Sequence, residues 1–271
     1  MRPCLSQSTL LKVPTETFFE AAARAGFADV ELRFSCLEET LAFRRAGDIR
    51  ELASRLGLTL ATLNSLEEFS LFPDENLALM DQRVKGLLEV CALLRIPVLV
   101  TVPSRLAVPL PPGEIRARTV ARLRRYADWA ARFGVTLAFE PIGTPGFSVR
   151  TTAEAVAIVQ EVDLNNVRLT LDTINAYQGG DSPEAWADVP PELLAVVHFH
   201  DSEPGPVDRL TLGSRVLPGD GVIDLAGYAA TLRRFGYTGA LSVELFNERV
   251  WAMPPAAAAH AAMVSLKPFV A

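Results

Sequence analysis

The segment Arg132-Phe133-Gly134-Val135-Thr136-Leu137-Ala138-Phe139-Glu140 joins a helical pattern to an apolar run through a single glycine. Glycine just past a helix closes the last turn in the left-handed conformation at no steric cost. The residues after it alternate, with Leu137 and Phe139 on one face and Thr136, Ala138 and Glu140 on the other, which predicts a strand. The same order returns at Ala25-Gly26-Phe27 before Val30-Glu31-Leu32, at Leu56-Gly57-Leu58 before Leu60-Ala61-Thr62-Leu63, and at Phe235-Gly236-Tyr237 before Leu241-Ser242-Val243. Each reads as a helix end feeding a strand.

Applied to the whole chain, the pattern predicts strands near 4–9, 28–34, 58–64, 97–103, 135–141, 168–173, 194–200 and 239–245. Helical periodicity falls between them, for example over 15–24, 78–94, 115–132, 152–162 and 225–235. Eight strands alternating with helices in 271 residues predict an α/β protein, a (β/α)8 TIM barrel with residues 1–271 as one domain. An open doubly wound sheet is the competing architecture, disfavoured because no Gly-x-Gly-x-x-Gly follows the first strand. The connections after strands, such as the proline-rich 103–113 and the polar 201–221, are richer than those before them. In a barrel they sit at the C-terminal face, where sites are built.

Asp and Glu total 32 against 26 Lys and Arg, a net charge of −6, which argues against binding phosphate backbones. No basic amphipathic run marks a membrane surface. Cys4, Cys36 and Cys91 are too few and too scattered for a disulfide framework or a zinc cage. With polar residues among Met1 to Gln7 where a secretory signal is apolar, the expectation is a cytoplasmic protein with neither nucleic acid nor membrane as partner.

Four strands share a further property. On each, the face opposite the apolar one ends in a side chain able to bind metal: Glu140 after Ala138, Asp172 after Thr170, His198 after Val196, and Glu244 after Ser242. The apolar faces suit the helix layer, so these four residues converge inside the barrel at its C-terminal end. One carboxylate at a strand end reads equally as a rim ion pair, and one histidine as a core residue. Three carboxylates brought together without a counterion would cost several kcal/mol each in desolvation and repulsion. A divalent cation resolves the conflict.

The stretches Leu137-Ala138-Phe139-Glu140, Leu169-Thr170-Leu171-Asp172-Thr173, His198-Phe199-His200-Asp201, Arg215-Val216-Leu217-Pro218-Gly219-Asp220-Gly221 and Ser242-Val243-Glu244-Leu245-Phe246 resemble the motifs of the xylose-isomerase-like sugar isomerase/epimerase superfamily. Within it the chain most resembles the 2-keto-myo-inositol (inosose) isomerases, from the first strand to the last helix. The resemblance implies metal ligands at Glu140, Asp172, His198 and Glu244. His200 competes with His198, since each is followed three residues later by an acid, Asp201 or Glu203. The apolar lead-in Leu194-Ala195-Val196-Val197 favours His198, leaving His200 to touch substrate or support the ligands. Glu31, Arg33, Asn64 and Arg215 resemble substrate-pocket residues, although Glu31 and Arg33 also read as a salt bridge within the barrel. The chain departs from its relatives at Asn175, where they carry a histidine, and at Gly146, where the epimerases carry an acid; Asn175 is assigned to the substrate pocket.

Resemblance and residue pattern together imply proton transfer beside a carbonyl. One divalent ion (Mn²⁺, Mg²⁺ or Co²⁺, with Zn²⁺ admissible) would polarise a polyol ketone or sugar, and the catalytic pair Glu140 and Glu244 would move the proton. The expected activity is that of a metal-dependent isomerase acting on a keto-inositol or related sugar. A dehydratase of the same substrate type, a ketose or aldose epimerase, and a binding barrel without turnover are the alternatives. A multi-zinc abasic-site endonuclease on the same scaffold needs more histidines than His198, His200 and His260. The apolar residues of 66–72 are expected to be exposed, as a lid or as a contact in a homo-oligomer, and Trp251 is expected at the pocket or the rim.

Overall fold

Eight parallel strands close into a barrel in the computed structural model, which describes residues 1–270. They are β1 (Arg2–Ser6), β2 (Asp29–Arg33), β3 (Thr59–Leu66), β4 (Val98–Thr101), β5 (Thr136–Phe139), β6 (Val167–Asp172), β7 (Leu194–His198) and β10 (Ala240–Val243). Two short strands, β8 (Asp201–Ser202) and β9 (Arg215–Val216), form a separate antiparallel ribbon after β7. Around the barrel the order is β1-β10-β7-β6-β5-β4-β3-β2. The outer layer holds α1 (Thr15–Ala25), α2 (Phe34–Leu41), α3 (Ala46–Arg55), α4 (Leu77–Leu94), α5 (Pro112–Arg132), α6 (Thr152–Val162), α7 (Thr173–Gly179), α8 (Leu225–Arg234), the short α9 (Glu248–Trp251) and α10 (Pro255–Val270).

Strand alternation divides the core in two. Leu32, Leu63, Leu99, Leu137, Leu169, Val197 and Leu241 face outward and join helix residues such as Phe18, Leu88 and Leu123 in one large apolar cluster. Inside the barrel the apolar set is small: Cys4, Val100, Val196 and Ala240, with Val102 beside them. The remaining inward positions include Glu31, Thr62, Asn64, Thr170, Asp172, His198 and Ser242, all buried. Register brings the polar ones together, because Asp172 lies opposite His198 and His198 opposite Ser242, with Glu244 two residues further on.

Several strands are shorter than their alternation predicts. β1 stops at Ser6, whose hydroxyl accepts from the Ser8 amide and caps the 3-10 turn Gln7–Leu10. β7 stops at His198, so Phe199 and His200 keep the alternation of a strand without belonging to one. The segment after β3 also differs from expectation: Leu66 and Phe69 are wholly buried. The Phe69 ring packs edge-on against Tyr126 and Phe139, at centroid distances of 6.3 and 6.1 Å, so no exposed apolar lid exists there. Trp251 lies outside the cavity wall, its indole donating to the Ser8 carbonyl at 2.9 Å, and His260 is exposed on α10.

One close approach sets the height of α7. A Cβ on Gly143, in the connection after β5, would lie 2.0 Å from the Asn175 carbonyl oxygen and 2.5 Å from the Gly179 nitrogen. Both are backbone atoms and cannot swing aside. Gly143→Ala is therefore expected to lower the unfolding free energy by about 1–3 kcal/mol, the range for overpacking. Urea titration followed by circular dichroism checks it.

Candidate active site

Asp172 ends β6 and begins α7 in the same residue. Its Oδ1 accepts from the amides of Ile174 (2.8 Å) and Asn175 (2.9 Å), an N-cap for which aspartate is a favoured residue. Its Oδ2 is buried without a hydrogen-bond partner and lies 3.8 Å from Nδ1 of His198. The other carboxylates of the strand ends meet the same nitrogen: Glu140 Oε1 is 3.2 Å from Nδ1 and Glu244 Oε2 is 3.5 Å from it. His198, rather than His200, thus faces the three acids.

The opposite nitrogen of His198 is held from below. Nε2 lies 2.9 Å from Oε2 of Glu31, which also accepts from Thr62 at 2.6 Å, while Glu31 Oε1 accepts from Asn64 at 3.3 Å. A carboxylate behind a histidine fixes its orientation and raises the basicity of the nitrogen facing a metal. Glu31 is thereby placed differently from a pocket residue: it is fully buried and absent from the cavity wall. Nor does it pair with Arg33, whose partners are Asn64 (3.2 Å) and Glu67 (3.0 Å). His200 is likewise fully buried, its Nε2 3.5 Å from Asp172 Oδ1, and it does not line the cavity.

Above this cluster opens a cavity of about 540 Å³, whose wall includes Arg33, Asn64, Glu140, Asn175, Arg215 and Glu244. Asn175 donates to Glu140 Oε1 at 3.1 Å and Asn64 to Glu244 Oε1 at 3.0 Å, so each acid has one oxygen held by an amide. Arg215 donates to Glu244 Oε2 and approaches Asp172 Oδ2 at 3.6 Å. Asp201 delivers that arginine: its buried carboxylate accepts from the amides of Ser202, Gly219, Gly221 and Ile223, tying down the long loop that carries β9. In the sequence Asp201 stands out only by its spacing from His198. Gly146, with φ of 92°, occupies a left-handed turn.

The electrostatics follow from burial and proximity. Burial pushes the Glu140 carboxyl up to about 7, with Asp172 and Glu244 adding to the rise against the His198 imidazole. Burial also acts to raise Glu31, but His198 and the hydrogen bonds of Thr62 and Ser6 prevail and bring it down to about 2. For Asp172, His200 and Arg215 outweigh burial and lower it. Burial disfavours a charged His198, yet Glu31, Glu140 and Glu244 together raise it well above its ordinary value. Positive charge is what this cluster stabilises.

One ligand atom each from Glu140, Asp172 and His198 lies within 4.8 Å of the others, so the group is able to hold a metal ion. The unpartnered Asp172 Oδ2 supplies an independent sign of fit, since a buried carboxylate oxygen normally has a donor. Glu244 sits beside the trio as a fourth donor, turned to Arg215.

Barrel, strand-end acids and histidine define a family. The chain belongs to the xylose isomerase-like TIM barrels, whose family model matches residues 19–268. Among individual relatives, an inosose isomerase of Bacillus subtilis (strain 168) is 33% identical over 163 residues, 60% of this chain and 59% of that protein. The match thus spans under two thirds of that relative's length. One from Bacillus velezensis is 27% identical over 249 residues, covering 91% of this chain and 89% of the relative. A 3-dehydroshikimate dehydratase of Pseudomonas aeruginosa is 30% identical over 249 residues, 91% of this chain but 38% of the longer enzyme. The crystal structure of the IolI protein with a bound zinc atom superposes with a TM-score of 0.96 at 27% identity, covering 100% of this chain and 98% of that one.

If Glu31 orients His198 for a metal, Glu31→Gln is expected to weaken Mn²⁺ binding about 10- to 100-fold, the usual cost of losing such a partner. Isothermal titration with the metal alone measures it, and an unchanged dissociation constant refutes the role.

Proposed function

We propose that this protein is a divalent-metal-dependent isomerase of a keto-inositol or a related polyol ketone. The observation that carries the reading is the placement of Glu140 and Glu244 on one cavity wall, with Asp172 and His198 beneath them. Glu140, Asp172, His198 and Glu244 are the proposed ligands, and this donor set of three carboxylates and one imidazole supports Mn²⁺, Mg²⁺ or Co²⁺ while admitting Zn²⁺. When bound, the ion supplies the positive charge that makes a carbon acid between a carbonyl and a hydroxyl easier to deprotonate.

The chain's own residues do the rest. One of the two glutamates accepts the proton from the hydroxyl-bearing carbon, and the other delivers a proton to the former carbonyl carbon. A hydroxyl proton passes between the two oxygens, so the carbonyl moves by one position at unchanged mass. Asn175 and Asn64, each holding Oε1 of its glutamate, orient the pair. Arg215 keeps Glu244 paired with a cation. Asn64, Asn175 and Arg215 also offer the cavity the donors and acceptors that a polyhydroxylated substrate needs. Glu31, behind His198, and His200, beside Asp172, act as buried supports. Three unpaired cysteines, two of them buried, support a reducing compartment, the cytoplasm.

A dehydratase is the second reading, favoured by the relative of that name across 91% of this chain. Mass distinguishes the two, since only dehydration loses water. Metal-loaded protein incubated in D₂O with 2-keto-myo-inositol is expected to exchange the α proton and yield a shifted ketone, followed by proton NMR and mass spectrometry. Glu140→Gln and Glu244→Gln are each expected to slow exchange by at least about 100-fold, as loss of a general acid or base does. Near-wild-type turnover in both variants rules out the two-glutamate mechanism.

A further inference from the structure

Five side chains that line the cavity close into a ring of contacts. Arg33 on β2 donates to Oδ1 of Asn64 on β3 at 3.2 Å, and Asn64 donates to Oε1 of Glu244 at 3.0 Å. Oε2 of Glu244 accepts from Arg215 on β9. An aromatic face completes the circuit: the guanidinium carbon of Arg215 lies 5.3 Å from the centroid of the Phe246 ring, and that of Arg33 lies 5.5 Å from it.

Two like charges converge on one ring because its face carries the negative part of the aromatic quadrupole. Phe246 is not core filling; it remains partly exposed at the cavity wall. What it restrains has an alternative. Arg215 is buried, its Nε has no hydrogen-bond partner, and its Nη2 already stands 3.6 Å from the unpartnered Oδ2 of Asp172. Released from the ring, the guanidinium would turn toward Asp172 and occupy the oxygen that faces His198.

We infer that Phe246 is a positioning residue. Its ring, shared with Arg33, holds Arg215 off Asp172 and so leaves Oδ2 of that proposed ligand open to a metal. The inference rests on the proposed reading of this site, but the placement of Arg215 is testable without turnover.

Phenylalanine 246 is replaced by its mono-, di- and trifluoro analogues, which nearly preserve ring size while weakening the negative face in steps. Two quantities are read on the full-length protein: the dissociation constant for Mn²⁺ alone, and the rate of solvent deuterium exchange into the keto-inositol. The expected result is a stepwise weakening of Mn²⁺ binding that reaches about tenfold at trifluorophenylalanine, with Phe246→Leu at or beyond that value. Because the analogues nearly preserve ring size, a ring that served only to pack would leave Mn²⁺ binding unchanged across the series. A flat Mn²⁺ series overturns the inference, whatever the exchange rate does. A stepwise Mn²⁺ series in a protein with no exchange at all supports it while rejecting the isomerase reading. A flat series with brisk exchange does the reverse.

Discussion

Three carboxylates surround one imidazole nitrogen at the C-terminal mouth of the barrel, all nearly removed from water. An ionised group buried without compensation costs several kcal/mol, so the arrangement persists only if every charge is answered. Much of the upper barrel is organised to do this. Glu31 answers the far side of His198, Arg215 answers Glu244, and two asparagines each supply an amide hydrogen to a glutamate. The surrounding acids hold the His198 imidazole well above its ordinary pKa, and ligation of a metal requires that its Nδ1 be deprotonated. A site that stabilises positive charge so strongly is prepared for an ion.

How much of this is legible in the sequence depends on whether a feature obeys the period of a strand. Thr136, Ala138 and Glu140 alternate with Leu137 and Phe139, and the barrel keeps that division between its interior and its helix layer. The convergence of Glu140, Asp172, His198 and Glu244 follows from the same period together with their positions at strand ends. Height along the barrel is less visible. Glu31 shares the inward face with pocket residues but is fully buried and does not reach the cavity, its carboxylate being taken up by His198 and Thr62. His200 continues the alternation of His198 after the ladder has ended. Only pairing across strands reveals either displacement.

Contacts between distant segments were hidden for a different reason. Phe69 looks like an exposed loop residue until Tyr126 and Phe139 are placed around it. Phe246 and Arg33 meet because β2 and β10 both flank β1 in the closed sheet. Asp201 reads as an acid near a histidine, whereas its four backbone partners come from its own neighbour and from a turn about twenty residues on. A Cβ on Gly221 would meet the Ser202 carbonyl oxygen at 2.2 Å, so glycine is required where that turn presses against the ribbon. The Pro-Gly-Asp-Gly motif that resembles family sequence is thus, in physical terms, the anchor of the segment that brings Arg215 into the cavity.

Asp172 has one oxygen committed to starting α7 and the other turned toward the charged cluster. Replacement by any residue outside the capping set of Asn, Ser and Thr also removes a helix cap, so the residue answers to folding as well as to its place in the site. Asn175 and the cavity-facing side chains of the long loops carry no such double duty. A change of substrate on this scaffold would therefore be easier to make at those wall residues than at the ladder end of β6, where binding and helix initiation would have to change together.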